Sequence, residues 1–109
     1  MGYLNTFIDY NEFGVKVKLY NTTIYEVTEE SYIFNTDGFK TVTTKRRMNQ
    51  ISEDFNLGFE IYQKNYCWFV YDSITNKTYK FGNLYINTSK CVIPKSHRIL
   101  KNMLKVNVA

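Results

Sequence analysis

The sequence has very few residues of the types that build common catalytic sites, with a single histidine, His97, and two cysteines. His97 is the only histidine available as a general base, and it lies in a predicted cationic helix with no nucleophile beside it in the sequence. The acidic pairs Glu29-Glu30 and Glu53-Asp54 are adjacent in the chain, which fits a solvated turn and a helix surface. Glycine-rich phosphate loops are absent. We therefore expect a protein that is not an enzyme and has no catalytic residue.

The same scarcity excludes the usual structural metal sites. A zinc site needs about four nitrogen or sulfur ligands, and Cys67, Cys91 and His97 fall short of that number. The N-terminal segment MGYLNTFIDY has neither a basic leader nor an apolar stretch, so we expect no secretory signal and reduced thiols. No apolar run approaches the roughly 20 residues that span a bilayer. We expect no metal, no cofactor and no membrane partner.

Aromatic residues are abundant. Ten Tyr, eight Phe and one Trp make up 17% of the 109 residues, and such side chains favour β-strands. Hydrophobic content of 44% and charged content of 22% are ordinary for a globular chain. The length suits one core, so residues 1–109 are predicted to form a single domain. Trp68 lies in the least polar segment and is predicted to be structural.

Alternating and apolar segments predict a series of strands. Val15, Val17 and Leu19 alternate with lysines, which is the period of a half-buried strand. An Asp37-Gly38 turn favours a hairpin. The other strands are expected at 24–28, 32–35, 39–42, 59–63, 66–71, 78–81 and 84–86, with the 59–71 hairpin joined at Lys64-Asn65.

Two helices interrupt this pattern. Met48, Ile51 and Phe55 form an apolar stripe after a cap at Thr43 or Thr44, and the helix is expected to end at residues 56–58. A second helix is expected near the C-terminus, with Pro94 at its first position or Ser96 as its cap. Its apolar stripe would comprise Ile99, Leu100, Met103 and Leu104. The predicted fold is α+β, a mainly antiparallel sheet with one central helix and one C-terminal helix.

Cations are concentrated in two places. Residues 1–93 contain ten acidic and ten basic residues, so the net charge of +4 lies on the C-terminal segment. Lys45, Arg46 and Arg47 are predicted in the first turn of the central helix, where the helix dipole disfavours cations unless an anion is bound. The residues expected to bind a partner or an anion are Lys45, Arg46, Arg47, Arg98, Lys101 and Lys105.

Basic residues beside many aromatics favour nucleic-acid binding, because cations contact phosphates and aromatic rings stack on bases. A solvated basic surface over an aromatic core explains the same pattern. No helix-turn-helix, zinc-finger or RNP-type motif is recognisable in the chain.

The segment TTKRRMNQISEDFNLGFEIYQKNYCWFV resembles small accessory proteins of phages that infect low-GC Gram-positive bacteria. Those proteins share a Thr-Thr-Lys-x-Arg-x-Asn-Gln start and a Tyr-Gln-Lys…Trp-Phe-Val hairpin. The resemblance covers residues 42–70 and implies a phage gene product. Small phage proteins of this size often block host defences, and anti-CRISPR proteins are the best-known group. Many of those are acidic mimics of DNA, whereas this chain is basic.

We therefore expect a phage-type inhibitor that binds a host nucleic-acid-handling defence complex, such as a Cas9-type effector, in the cytoplasm of the host bacterial cell. The alternative is a small DNA- or RNA-binding regulatory module. The two hypotheses differ in whether the partner is held through protein or through nucleic acid.

Overall fold

In the computed structural model, residues 4–82 and 89–98 are described, and their strands form two antiparallel sheets. The strands are β1 (Thr6–Asn11), β2 (Gly14–Leu19), β3 (Thr22–Val27), β4 (Ser31–Asn35), β5 (Phe59–Lys64), β6 (Cys67–Asp72), β7 (Lys77–Lys80) and β8 (Lys90–Pro94). Sheet A has five strands in the order β1-β2-β3-β4-β8, and sheet B has three in the order β5-β6-β7. One helix, α1 (Val42–Asp54), connects the two sheets, and a helical turn occupies residues 95–98. The predicted α+β class with mainly antiparallel strands is confirmed.

Helix α1 is capped at both ends by local hydrogen bonds. At the start, the Thr44 backbone N–H donates to Oγ1 of Thr41, so the cap lies two residues before the nearer predicted one. At the end, the Leu57 N–H donates to the Ser52 carbonyl while Asn56 adopts a positive φ of 56°. This is a Schellman motif in which asparagine takes the left-handed position expected for glycine.

The core lies between the inner faces of the two sheets. Met48 and Ile51 of α1 are fully buried in it, as the predicted stripe requires. Trp68 is 3% exposed and packs edge-on against Phe81 at 5.8 Å between ring centroids, which confirms its structural role. Apart from Val92 of β8, the buried apolar residues of both sheets belong to this one cluster.

A β-bulge in sheet A lets two consecutive residues of β3 enter the core. Val17 is opposite Tyr25 and Lys18 is opposite Thr23, so Ile24 has no partner in β2. Side chains alternate between faces in a regular strand, yet Ile24 and Tyr25 are each only 1% exposed. The extra residue accounts for this departure from alternation.

Helix α1 also covers the outer edge of β5 with two polar side chains. Oδ1 of Asn49 accepts from the Ile61 N–H and its Nδ2 donates to the Ile61 carbonyl, both at 2.9 Å. The Phe59 N–H donates to Oγ of Ser52 at 2.9 Å, and that hydroxyl donates to the Phe59 carbonyl. These bonds replace the strand that would otherwise pair with β5.

Several boundaries differ from the expectation. The strand expected at 39–42 is wrong, because the capped helix already begins at Val42. Strands β1 and β8 were not expected. Pro94 ends β8 opposite Ser31, and the expected C-terminal helical turn begins directly after it, at residue 95. Proline is tolerated there because β8 is the last strand of sheet A. The strand expected at 84–86 and the stripe Ile99, Leu100, Met103 and Leu104 lie outside the described residues.

No helix within residues 4–82 and 89–98 is long and apolar enough to cross a membrane.

Candidate nucleic-acid interface

Sheet B has two faces of different character, although both come from the same short strands. Along β6, Trp68, Val70 and Asp72 are buried, whereas Phe69 and Tyr71 are only half-buried. The alternation follows from the two-residue period of a strand. One face of sheet B therefore belongs to the core, and we call the opposite one the outer face of sheet B.

Aromatic rings and lysines share this outer face. Tyr62 is paired with Phe69, and Phe69 with Lys80, so these three side chains form a row across the three strands. The rings of Tyr62 and Phe69 are stacked, with centroids 5.3 Å apart and planes 19° apart. Tyr71 lies in the next row, and its hydroxyl donates to Oδ1 of Asn76 at 2.6 Å.

The tip of the β5–β6 hairpin extends the outer face with another aromatic residue. Asn65 and Tyr66 both have positive φ, 52° and 65°, as a two-residue type I′ turn requires. Tyr66 is 94% exposed. The turn lies one residue later than the predicted Lys64-Asn65 junction, and this shift places Tyr62 opposite Phe69.

Lys45 lies at the same end of sheet B as Lys64. Helix α1 runs antiparallel to β5, because Ser52 contacts Phe59 while Asn49, one turn earlier, contacts Ile61. A further turn back, the Lys45 ammonium lies 5.9 Å from the centre of the Trp68 ring. Trp68 is paired with Gln63, the neighbour of Lys64. The fold thus brings one end of the Lys45-Arg46-Arg47 run to the tip of the aromatic hairpin.

The three cations of that run have different surroundings. Arg46 is exposed, Lys45 and Arg47 are half-buried, and Nη1 of Arg47 donates to Oε1 of Gln50 at 3.2 Å. Their position in the helix also differs from the expectation. The Lys45 N–H already donates to the Thr41 carbonyl at 3.1 Å, so the run begins after the first turn. The dipole penalty that suggested a bound anion is correspondingly weaker.

A cavity of about 420 Å³ does lie at the start of α1, but these cations do not line it. Five threonines contribute to its wall, with Tyr20, Phe39, Leu19 and Ile24. None of the lining residues is charged. An anion bound in this cavity would therefore have none of Lys45, Arg46 and Arg47 in the cavity wall.

Arg98 was expected on a cationic helix face that meets a negatively charged partner. In the structure, its negatively charged partner is Asp72 of the same chain. Nε and Nη2 of Arg98 donate to the two Asp72 carboxylate oxygens at 3.0 and 2.9 Å. Nη2 also donates to the Leu57 carbonyl at 2.7 Å, and the guanidinium lies 4.2 Å from the centre of the Phe59 ring. Lys101 and Lys105, predicted on the same helix face, lie outside the described residues.

The Asp72–Arg98 pair is buried and controls the ionisation of its carboxyl. Burial by itself raises the pKa of Asp72, but the hydrogen bonds and charge of Arg98 outweigh it, so the pKa is lowered. The pKa of Arg98 is raised, because the pairing with Asp72 outweighs its own burial. Both groups are charged at neutral pH, and they join the helical turn at 95–98 to sheet B.

Both cysteines are free thiols in the described residues. Burial raises the pKa of the Cys91 thiol to about 12, so this residue behaves as a small apolar side chain. Cys67 lies on the outer face of sheet B and is half-buried. Within residues 4–82 and 89–98, no group of three or more His, Cys, Asp or Glu side chains is close enough together to hold a metal ion.

The sequence prediction did not include Tyr62, Phe69, Tyr71, Lys64 or Lys80. In β5 the signal was available, since Phe59 and Ile61 alternate with Glu60, Tyr62 and Lys64. In β6 the run Cys-Trp-Phe-Val-Tyr is apolar on both faces, which hides the alternation. Only the register identifies which of its aromatics are outside.

The described residues thus form a small α+β domain of two antiparallel sheets with an aromatic and cationic outer face on one of them. A family model for the Kyanoviridae Gp96 protein matches residues 3–90. Because this match covers most of the chain, the protein belongs to that family of small phage proteins. Comparisons with curated proteins and with solved structures found no match.

Proposed function

We propose that this phage protein binds single-stranded nucleic acid, without catalysing a reaction, through the outer face of sheet B. The observation that carries the proposal is the row Tyr62, Phe69 and Lys80 on a half-exposed antiparallel sheet. Aromatic rings supply stacking surfaces for unpaired bases, and every base has a face that can stack. Lysines beside the rings are placed to contact phosphates of the same strand.

The charges around the rings support this proposal. Lys64 and Lys80 are exposed on the outer face, whereas the Lys45 ammonium lies against Trp68 on the core side of the same hairpin. Glu60 is the one acidic residue that faces outward from β5, β6 or β7. The exposed Tyr66 at the tip is available to a base beyond the edge of the sheet.

The alternative explanation is that the rings only stabilise the hairpin. A stacked cross-strand pair contributes to sheet stability by itself, roughly 0.2–1 kcal/mol. Replacing Tyr62 and Phe69 together by leucine separates the two explanations, because leucine keeps apolar packing and removes the aromatic faces. The double variant should remain folded and bind labelled single-stranded DNA or RNA of about 20 nucleotides at least tenfold more weakly, given about 1–3 kcal/mol per stacked base.

The matched control is Phe39→Leu, an exposed aromatic in the segment before α1. It should leave the affinity unchanged. A second arm replaces Lys64 and Lys80 by glutamine and measures affinity against salt concentration. The slope should fall by about 1.4, since each phosphate contact on a single strand contributes about 0.7. Equal affinity of the leucine double variant and the native protein, with an unchanged slope in the glutamine variant, would refute the proposal.

Membership in a phage protein family supports a second proposal. The protein would act as an inhibitor of a host nucleic-acid-handling defence complex, of the anti-CRISPR type. This second proposal includes a low-GC Gram-positive host, which the resemblance of residues 42–70 suggested. The outer face of sheet B would then engage the nucleic acid of the complex or an acidic protein surface. Capture of partners from host lysate with and without nuclease distinguishes the two. Partners that remain after nuclease treatment support the inhibitor.

A further inference from the structure

Within residues 4–82 and 89–98, the edge strand β1 of sheet A lacks the kind of covering that protects β5. In sheet B, Asn49 and Ser52 occupy the backbone groups of the β5 edge. In sheet A, β1 is the terminal strand, and among residues 4–82 and 89–98 no strand pairs with its outer side. Uncovered edges of this kind are templates for pairing with another strand.

The β1 edge is also where exposed apolar side chains are concentrated. Of the nine large hydrophobic residues that are exposed in the described part of the chain, four lie between residues 4 and 13. Phe7 and Tyr10 of the strand itself are 65% and 66% exposed. Natural edge strands are usually protected by proline, by a bulge or by several charges, whereas β1 contains one charged residue, Asp9.

The backbone groups that point out of the sheet can be identified from the ladder between β1 and β2. The Tyr20 N–H donates to the Asn5 carbonyl at 2.8 Å, and opposite residues of antiparallel strands alternate between bonded and non-bonded pairs. The odd residues of β1 therefore direct their backbone groups toward β2. Thr6, Ile8 and Tyr10 direct theirs to the other side, where the Tyr10 N–H donates to Oδ1 of its neighbour Asp9.

We propose that β1 pairs antiparallel with β1 of a second copy of this chain, joining two five-stranded sheets into one. A two-fold axis perpendicular to the sheet relates the copies, so residues of the same parity are opposite each other. Two registers then pair five residues of each strand. One is centred on Ile8 opposite Ile8 of the other copy, and the other on Asp9 opposite Asp9.

Charge selects between the two registers. Centring on Asp9 brings two carboxylates directly opposite each other, which is destabilising. Centring on Ile8 instead places Phe7 opposite Asp9 of the other copy, twice by symmetry, and bonds Thr6, Ile8 and Tyr10 through their outward backbone groups, with the Tyr10 N–H exchanging Oδ1 of Asp9 for the other strand. Each copy also brings Lys16 and Lys18 next to these pairs, because they are opposite Asp9 and Phe7 within the chain. The proposed register is therefore the one centred on Ile8.

Sedimentation equilibrium of the full chain tests the proposal through Phe7→Glu. In the register centred on Ile8, this change places a glutamate opposite Asp9 of the other copy at both symmetric positions. Two like-charge pairs should weaken the dimer roughly tenfold, at about 0.7 kcal/mol each. Phe7 is exposed, so the variant should keep its melting temperature. The matched control is Phe39→Glu, which makes the same change at a residue of similar exposure, 61%, and should not alter the dimer.

Mixing two variants provides the decisive test of the register. The Phe7→Glu and Asp9→Lys proteins together should form a heterodimer, because Glu and Lys then face each other across the strands. A native chain that stays monomeric at every concentration overturns the proposal. A monomer whose β1 edge binds an unrelated extended peptide, but not a second copy, overturns it as well. A dimer that Phe7→Glu leaves intact also overturns it. None of these substitutions touches the outer face of sheet B, so the outcome is independent of nucleic-acid binding.

Discussion

Trp68 and Phe69 are adjacent in β6, yet the protein uses them in opposite ways. Trp68 is 3% exposed and packs in the core, while Phe69 is half-buried on the outer face of sheet B against Tyr62. The comparison shows that in a three-stranded sheet one residue step separates a core position from a position on the solvent-facing side. Substitutions on the inner face should change the free energy of unfolding, and those on the outer face should change binding.

The largest expected effect is that of Trp68→Ala. Removing this buried ring leaves a cavity beside Phe81, and we expect a loss of about 3–5 kcal/mol in the free energy of unfolding, enough to unfold a domain of modest stability. Chemical denaturation monitored by circular dichroism measures the loss. A stable variant that had lost only nucleic-acid binding would reverse the roles assigned to the two faces.

Arg98→Met should cost nearly as much at neutral pH. It leaves the Asp72 carboxylate buried without its cation, and breaking a buried pair costs about 3–5 kcal/mol. Arg46→Met, at an exposed position of α1, serves as the control and should stay within about 0.5 kcal/mol of the native protein. The free energy of unfolding from denaturant titrations provides the measurement.

The effect of Arg98→Met should depend on pH with a definite sign. In the native protein the pKa of Asp72 is lowered, so its stabilisation is present above the unfolded value of about 3.9 and is lost as pH falls through the folded value. Without Arg98, burial raises the pKa of Asp72, and the variant becomes relatively more stable in acid. The difference between the two proteins should therefore shrink from pH 7 toward pH 3. A difference that is constant over this range would show that the carboxylate is not responsible.

Asn49→Ala tests the covering of the β5 edge and should have an intermediate effect. It removes both hydrogen bonds to Ile61, and an unsatisfied buried backbone group costs about 1–3 kcal/mol. Glu53→Ala, on the exposed side of the same helix, should change stability by about 0.5 kcal/mol or less. Increased aggregation of Asn49→Ala alone, followed by light scattering, would identify the uncovered edge as the cause. Equal stability of the two variants would contradict the covering role.

The smallest expected effect on stability is that of Tyr71→Phe on the outer face. It removes the hydroxyl that donates to Asn76, an exposed bond, and should change the free energy of unfolding by about 1 kcal/mol or less. The ring remains, so nucleic-acid affinity should be nearly native in a fluorescence anisotropy titration. A large loss of stability would place Tyr71 among the structural residues and contradict the division between the two faces.

The sequence by itself determined the local elements whose signal is strong. The apolar stripe of Met48 and Ile51 predicted α1, and alternation predicted β2, because these patterns follow from the helix and strand periods. The burial of Trp68 and the α+β class also followed from composition and pattern. Strands β1 and β8 were missed, since their apolar residues do not alternate with charges, and β8 also pairs with a strand that is distant in the chain, β4.

Tertiary structure decided the faces and the partners. Arg98 looked like a surface cation, and only the fold brings Asp72, 26 residues away in the chain, to its guanidinium. The positive φ of Asn65 and Tyr66 fixes the turn, and the turn decides that Tyr62 is opposite Phe69 and not another residue of β6. A single-residue change in register or cap position leaves local propensity unchanged but moves side chains to new neighbours. For this reason the outer face of sheet B, the covered β5 edge and the open β1 edge became visible only in three dimensions.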